Sequence, residues 1–336
     1  MNKKIQIILS IIMIFISAQI NFGQVKLAQT GLKFLSVGAD ARASALGEAI
    51  TALEGNSTSM FYNPSGMAWQ SNFVDVTFGN TNWIADIDYM HATISVAPDD
   101  GLYGVFGVSV TSVDYGEFKG TVIDGGEDGF RDIGIYSPKA LSVGLGYAKA
   151  LSDKFSVGGN IKYVYQDLGG GHAVAVNAGG GYETKSFDIN TMAFDFGILY
   201  KTGFESLTFG MSLRNFSQEI EYIEESFQLP LTFKIGLSMN MLDFLEFDRN
   251  EHTLLLSVDA SHPRDYKEQL HIGGEYTFMN ILSLRGGYVS PTDEQGVNLG
   301  AGVKHEFEGF KFGVDYSYLD FGVFDNVNRF SINISY

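Results

Sequence analysis

Histidine, cysteine, serine and clustered carboxylates are the side chains most able to do chemistry, and their spacing in this chain offers little of it. The six His residues stand at 91, 172, 252, 262, 271 and 305, with no His-x-His pair and no His-Glu-x-x-His run to grip a metal from one element. Cys is absent, which removes a thiol nucleophile, a thiolate zinc site, disulfide staples and a lipoprotein anchor. No Gly-x-Ser-x-Gly elbow presents a serine. Asp124, Glu127, Asp128 and Asp132 lie among glycines; carboxylates on flexible backbone suit calcium, but this spacing fits no EF-hand, and a solvated acidic loop is the expectation. The glycine runs at 169–171 and 179–181 lack the Lys-Ser/Thr and the following helix of a phosphate loop. These residues predict a protein that is not an enzyme and that carries no cofactor and no metal.

The remaining charged residues make sense only once the elements carrying them are known. The chain begins Met1-Asn2-Lys3-Lys4, followed by an apolar run from Ile5 to Ile16 and then small and polar residues. That run is too short for a membrane span and has the form of a cleaved secretory signal over 1–23. Beyond it no apolar run reaches the roughly 18 residues of a membrane helix. From about Phe73 onward hydrophobicity has period two. In Leu207-Thr208-Phe209-Gly210-Met211-Ser212-Leu213-Arg214 the odd positions are greasy and the even ones small, polar or charged, and the stretch from Phe310 to Tyr318 does the same.

Such segments predict about fourteen strands, at 72–80, 88–97, 101–113, 138–150, 154–166, 191–201, 206–216, 229–241, 252–261, 269–279, 281–290, 296–307, 309–319 and 327–336. Strands of this length and an even count suit an antiparallel transmembrane β-barrel over 72–336. Short connections alternate with long polar ones, the pattern of periplasmic turns and external loops. The long 242–251 connection breaks that pattern, predicting either a contact or a miscounted strand. Tyr and Phe recur near strand ends (Tyr103, Tyr147, Tyr200, Tyr276 and Tyr288 among them), where amphipathic rings suit the membrane interfaces, and a soluble sandwich gives no reason for two such belts. The expected location is therefore the outer membrane. A formal charge of −17 argues against nucleic acid as a partner.

Residues 24–71 do not alternate. Asp40 can cap a helix from about Ala41 to Leu53, and Pro64 pushes Asn63 out of the helical region while Gly66 permits a tight backbone. A compact segment ahead of a barrel predicts a short helical plug in the lumen. Gly38-Ala39-Asp40-Ala41-Arg42-Ala43-Ser44-Ala45-Leu46-Gly47-Glu48-Ala49, followed by Phe61-Tyr62-Asn63-Pro64-Ser65-Gly66-Met67-Ala68, resembles the entry signature of the PorV/PorQ family. Ser65 and Met67 stand where Ala and Leu are common in that family, and Glu48 where Gly is common. The resemblance implies a FadL-like fold of fourteen strands with an N-terminal hatch, in which Arg42, Gly47, Tyr62, Asn63, Pro64, Ser65 and Gly66 form the hatch motif. It further implies service to the type IX secretion system: binding the C-terminal signal domain of a cargo protein emerging from the translocon barrel, and handing it to the surface attachment machinery.

The polar phase of the strands predicts a lumen carrying Lys162, Asp195, Arg214, Lys234, Asp259, Glu275, Arg285, Lys304 and Asp315. Ionised groups in such a place must pair or stay wet, so this interior predicts a neutralised network that holds the plug. The alternative, a FadL-like transporter of small hydrophobic molecules, needs an apolar pocket built from Phe61, Met67 and Trp69. Asp124, Glu127 and Asp128 in one external loop and Glu221, Tyr222 and Glu224 in another are candidate contacts for protein partners, with outer-membrane lipid and lipopolysaccharide as the remaining surroundings.

Overall fold

The computed structural model describes residues 30–123, 128–169, 174–176, 182–184, 187–222, 225–245, 248 and 251–336; the expected signal at 1–23 lies outside them. In chain order the strands are β1 (Val74–Asn82), β2 (Asp88–Val96), β3 (Val105–Asp114), β4 (Phe118–Ile123), β5 (Phe130–Tyr136), β6 (Lys139–Ala150), β7 (Phe155–Asp167), β8 (Val174–Val176), β9 (Tyr182–Thr184), β10 (Asp188–Lys201), β11 (Thr208–Phe216), β12 (Ile220–Tyr222), β13 (Glu225–Phe227), β14 (Thr232–Asn240), β15 (His252–Pro263), β16 (Gln269–Phe278), β17 (Leu282–Ser290), β18 (Val297–Phe307), β19 (Phe310–Leu319) and β20 (Val327–Ser335). Fourteen of them close into an antiparallel barrel, β1 pairing with β20 from Asp75↔Ser335 to Asn82↔Asn328. The other six form three two-stranded hairpins, β4-β5, β8-β9 and β12-β13, inside the long connections.

Closure leaves no edge strand, so the barrel's backbone groups are satisfied between neighbours, as hydrocarbon requires. Among the described residues no helix is long and apolar enough to cross a membrane. Alternation sorts the side chains. Phe78, Met90, Leu145, Phe196 and Leu284 point outward and are more than half exposed, while Thr77, His91, Ser142, Asp195 and Arg285 on the opposite phase are buried in the lumen. The 242–251 connection begins with a 3-10 turn, Met241–Phe244, and adds no strand among the described residues. Its Asp243 carboxylate accepts from the Ser206 amide at 3.0 Å, which ties two neighbouring short-turn-end connections together.

Residues 30–72 run down the lumen from the long-loop end to the short-turn end. Gly31 donates to the Gln228 carbonyl at 3.2 Å beside the β12-β13 hairpin. Leu32, Phe34 and Leu35 pack on Tyr89, Val113, Ala140, Val164 and Leu229. Lower down, Met60 and Met67 fill the space bounded by Ala97, Val105 and Ala148, and Asn72 donates to the Ser335 hydroxyl at 3.0 Å just before β1 begins. Asp40 caps its helix as expected, accepting from the Ala43 amide at 3.0 Å. The helix is only Ala41–Ala45, however, not 41–53. Gly47 and Glu48 both adopt left-handed backbone (φ 61° and 59°), because the chain must turn where it meets the wall: a Cβ on Gly47 would lie 2.9 Å from the Tyr288 amide nitrogen. The alanines' helix propensity loses to that close approach.

Candidate functional site in the plugged lumen

The hatch motif folds as a string of local caps that anchor to the wall. Asn63 sits in extended backbone, as the following proline demands, and its side-chain oxygen accepts from Ser65 N at 3.2 Å and Ser65 Oγ at 2.7 Å. Its amide group donates to the Thr51 carbonyl at 2.6 Å within the plug and to the Ile198 carbonyl of β10 at 3.1 Å. Pro64 and Ser65 press on Gly158, where a Cβ would lie 2.5 Å from the Pro64 carbonyl carbon and the Ser65 nitrogen; glycine lets plug backbone meet wall. Gly66 closes the turn, donating to the Asn63 carbonyl at 3.0 Å while its own carbonyl accepts from Gly55 at 3.2 Å. The Tyr62 hydroxyl accepts from the Asp40 amide at 3.1 Å. Trp69 donates to Ser156 Oγ at 2.9 Å, and Lys201 stacks 3.5 Å above its ring.

Arg42 carries the strongest link from plug to wall. It grips Glu275 of β16 with two hydrogen bonds, Nε at 2.9 Å and Nη2 at 2.7 Å. Glu275 also accepts from Arg285 at 2.5 Å, and Arg285 reaches Asp315 at 2.6 Å, so two cations and two carboxylates alternate across β16, β17 and β19. A second cluster lies at the irregularity between β10 and β11. There Lys162 pairs with Asp195 at 2.8 Å and donates to Asn215 Oδ1 at 2.6 Å, while Asp195 accepts the Asn215 amide at 2.7 Å. Lys234 meets Glu48 of the plug at 3.6 Å, and Asp259 accepts the Thr51 amide at 3.0 Å. Lys304 lines a small cavity of about 70 Å³ with Arg42 and Asp315. Eight of the nine lumen residues expected from the alternation are buried, and Lys304 faces that cavity. Among the described residues Arg214 forms no ion pair and stands 5.5 Å over the Tyr62 ring.

Other wall and plug residues belong to the same lattice and were not singled out in the sequence. Asp75 accepts from Ser57 N at 3.1 Å, Ser57 Oγ at 2.6 Å and Asn333 at 2.9 Å. Arg329 donates to the Gly38 carbonyl at 3.0 Å and to Ser44 Oγ at 2.7 Å. His271 Nδ1 lies 2.7 Å from the Gly47 carbonyl. Asp75, His271 and Arg329 sit on the polar phase of their strands, so that phase could have revealed them; Asp40 and Glu48 in the aperiodic plug had no such signal.

At the long-loop end the lumen opens as a vestibule of about 410 Å³. Asp265 at its rim holds the start of the plug, accepting from Thr30 at 2.5 Å and pairing with Lys33. Burial alone would raise this carboxyl's pKa, but the hydrogen bonds from Lys33 and Thr30 outweigh it and hold the group below the usual carboxylate value. The candidate partner residues Asp128 and Glu221 are exposed, and Tyr222 ends β12; Asp124, Glu127 and Glu224 lie outside the described residues. Among the described residues no group of three or more His, Asp or Glu could hold a metal.

The fold is shared with solved outer-membrane barrels. The Pseudomonas putida toluene transporter TodX aligns over 93% of this chain and 99% of its own, at 13% identity and a TM-score of 0.57. The Ralstonia pickettii toluene transporter TbuX covers 89% and 97% at 12% identity and a TM-score of 0.56. A Pseudomonas aeruginosa FadL homologue covers 89% and 98% at 12% identity and a TM-score of 0.52. At such identities the likeness speaks for the fold alone, and with it for an outer-membrane barrel whose long loops face outward. No curated protein matches the sequence. The family model described as type IX secretion system protein PorV matches residues 21–259, more than half of the chain and the whole of the plug, and the chain accordingly belongs to the PorV family.

Proposed function

We propose that this barrel serves type IX secretion from its external face, binding secreted cargo proteins by their C-terminal signal domains beside the translocon barrel and handing them to the surface attachment machinery. The observation that carries this reading is the plug itself. It fills the lumen, is tied to the wall by Arg42–Glu275, Thr51–Asp259 and Ser57–Asp75, and leaves binding to the outer end. That end carries exposed apolar side chains suited to a protein partner: on the β4-β5 hairpin Phe118, Ile123, Phe130 and Ile135 are all exposed, and a concentration of such residues on one element supports an interaction surface.

The transporter reading needs an apolar site between plug and wall. One void there measures about 40 Å³ and is bordered by His91, Lys162 and Arg214 as well as Phe34, Met60 and Phe61; a second, of about 440 Å³, lies between Phe34, Val37 and Gly38 of the plug and Trp83, Ile87 and Tyr89 of the wall, with Glu48, His271 and Arg329 also on its lining. A benzene-sized guest needs about 150 Å³. Size excludes the first void, and in the second the charged groups of Glu48 and Arg329 disfavour a hydrocarbon guest.

Affinity purification from mildly solubilised outer membranes, with mass spectrometry of what co-purifies, tests the proposal together with a deletion strain. The expected result is a very large barrel protein plus cargo bearing C-terminal β-domains, and loss of cargo from the cell surface on deletion. Intact secretion and surface anchoring in the deletion strain would overturn it, as would recovery of the barrel alone with a bound hydrocarbon.

A further inference from the structure

Arg214 is 8% exposed, and its Nε has no acceptor among the described residues. Among the described residues it makes no hydrogen bond and no ion pair, and its one contact of note is with the face of Tyr62, 5.5 Å from the guanidinium carbon. It lines both the floor of the external vestibule and the small void beneath. Every other buried cation of this region has been given a partner. Lys234 has Glu48 at 3.6 Å and the Glu48 carbonyl at 3.2 Å, Lys162 has Asp195, and Arg329 donates to Gly38 and Ser44. A guanidinium withdrawn from bulk water without an acceptor is costly, and that cost is removed when a ligand supplies the oxygens.

We propose that the vestibule is a carboxylate-binding site in which Arg214 receives the ligand's oxygens and Lys234 provides a second, longer-range positive charge. The planar fork of arginine matches a carboxylate with two parallel hydrogen bonds. The charge balance favours a monoanion: Glu48 faces both Lys234 and Arg214, and Asp259 faces Lys234, so the site has no positive charge to spare for a dianion such as phosphate. Around the rim Asp293 and Glu294 are also acidic, Asp265 is occupied by Lys33, and Phe321 and Phe324 offer apolar surface, so a ligand with one terminal carboxylate and a neutral body fits better than a polyanion. A volume of about 410 Å³ lies within the range of small-molecule and peptide-end pockets. The α-carboxylate of an extended peptide and the head group of a fatty acid share this chemistry. The site goes beyond the secretion role and stands whether or not that role is correct.

Titration calorimetry on the purified full-length barrel in a neutral detergent discriminates the sources, using N-acetyl-tetraalanine with a free C-terminal carboxylate, the same peptide as its C-terminal amide, and decanoate. The expected result is that the free acid binds about tenfold or more tightly than the amide, the value of one charge-assisted pair. Arg214→Gln removes that preference and Arg214→Lys retains part of it. Because Arg214 makes no hydrogen bond and no ion pair among the described residues, Arg214→Gln keeps the folded barrel's heat-modifiable gel mobility, and the acid-against-amide comparison in the unmodified protein needs no variant at all. Binding of decanoate with the same Arg214 dependence, and none of the peptide, supports the site with an amphiphile as its ligand. Equal binding of acid and amide, acid binding unchanged by Arg214→Gln, or no binding of either carboxylate would overturn the proposal.

Discussion

Glu275 is the residue whose loss tests whether ion pairs hold the plug. It accepts from Arg42 at 2.7 and 2.9 Å and from Arg285 at 2.5 Å, and its side chain is 9% exposed while that of Arg285 is fully buried. Glu275→Gln keeps the shape and removes the charge. Arg285 retains Asp315, but Arg42 loses its carboxylate. Breaking one side of a buried pair costs about 3–5 kcal/mol. Arg42's side chain is 30% exposed, so water compensates in part and the lower end, about 3 kcal/mol, is expected. In the equilibrium between docked and released plug that is a factor of about a hundred. The assay is denaturant titration in micelles with Trp69 as reporter, since its indole lies under Lys201 and donates to Ser156 only while the plug is seated; Trp83, the other tryptophan, is replaced by Phe. Far-ultraviolet circular dichroism follows the barrel separately. The plug transition should move and the barrel transition should stay, and adding Arg42→Met to Glu275→Gln should cost less than about 1 kcal/mol more because the partner is already gone. A plug shift below about 1 kcal/mol for Glu275→Gln, or full additivity of the two changes, would refute the reasoning.

Three further outcomes follow from the same contacts. Gly158→Ala places a methyl group against plug backbone at 2.5 Å and should destabilise plug seating by about 1–3 kcal/mol in the Trp69 titration, whereas Gly286→Ala, whose Cβ would meet Leu299 at 3.9 Å, should stay within about 0.5 kcal/mol. The Asp265 anchor has a depressed folded-state pKa, so its contribution is present in full above the ordinary value of 3.8 and is lost as the pH falls through the lowered folded value; hydrogen exchange at the Gly31 amide, bonded to Gln228, should be protected equally at pH 7 and 5 relative to intrinsic rates and lose protection only below that window. Asp265→Asn should lower that protection already at pH 7. On the β4-β5 hairpin, Phe130→Ser with Ile135→Ser should leave barrel unfolding within about 0.5 kcal/mol and reduce recovery of the co-purifying partners; undiminished recovery would place the contact elsewhere.

The barrel was legible because a lipid-facing strand has one hydrocarbon phase and one polar phase, and a period of two survives without an alignment. The segments expected at 88–97 and 269–279 are Asp88–Val96 and Gln269–Phe278. The segment expected at 191–201 begins three residues earlier, at Asp188, where the strand leaves the membrane and the alternation fades. The hairpins β4-β5, β8-β9 and β12-β13 were invisible for the same reason: both faces of β5 are largely exposed, so neither phase is marked. In the plug, local chemistry was readable and tertiary constraint was not. The Asp40 and Asn63 caps follow from residue type and neighbouring proline, but the stop after Ala45 depends on the approach of Gly47 to Tyr288, which no window of sequence contains. The lumen charges could be placed by phase, yet which of them pair depends on strand register, which sets Glu275 opposite Arg285, and on the depth at which the plug brings in Arg42 and Glu48.

That pairing has a consequence for the outer end. A plug held by apolar packing alone could slide, since hydrophobic contact is non-directional. Here its fixings are directional and spaced along the bore: Arg42 to Glu275, Thr51 to Asp259, Ser57 to Asp75 and Asn63 to the Ile198 carbonyl. A one-residue shift of the plug breaks all four at once, leaving Glu275 with Arg285 and Asp75 with Asn333 but taking the plug donors from both and from Asp259, so one depth of insertion is selected. Lys33, Leu35 and Ser36, which line the vestibule with Arg214, are joined along the chain to the first of these fixings through Asp40 and the helix Ala41–Ala45. The vestibule is therefore shaped by contacts deeper in the barrel, and releasing Arg42 from Glu275 should loosen the wall of the vestibule without altering a residue that lines it.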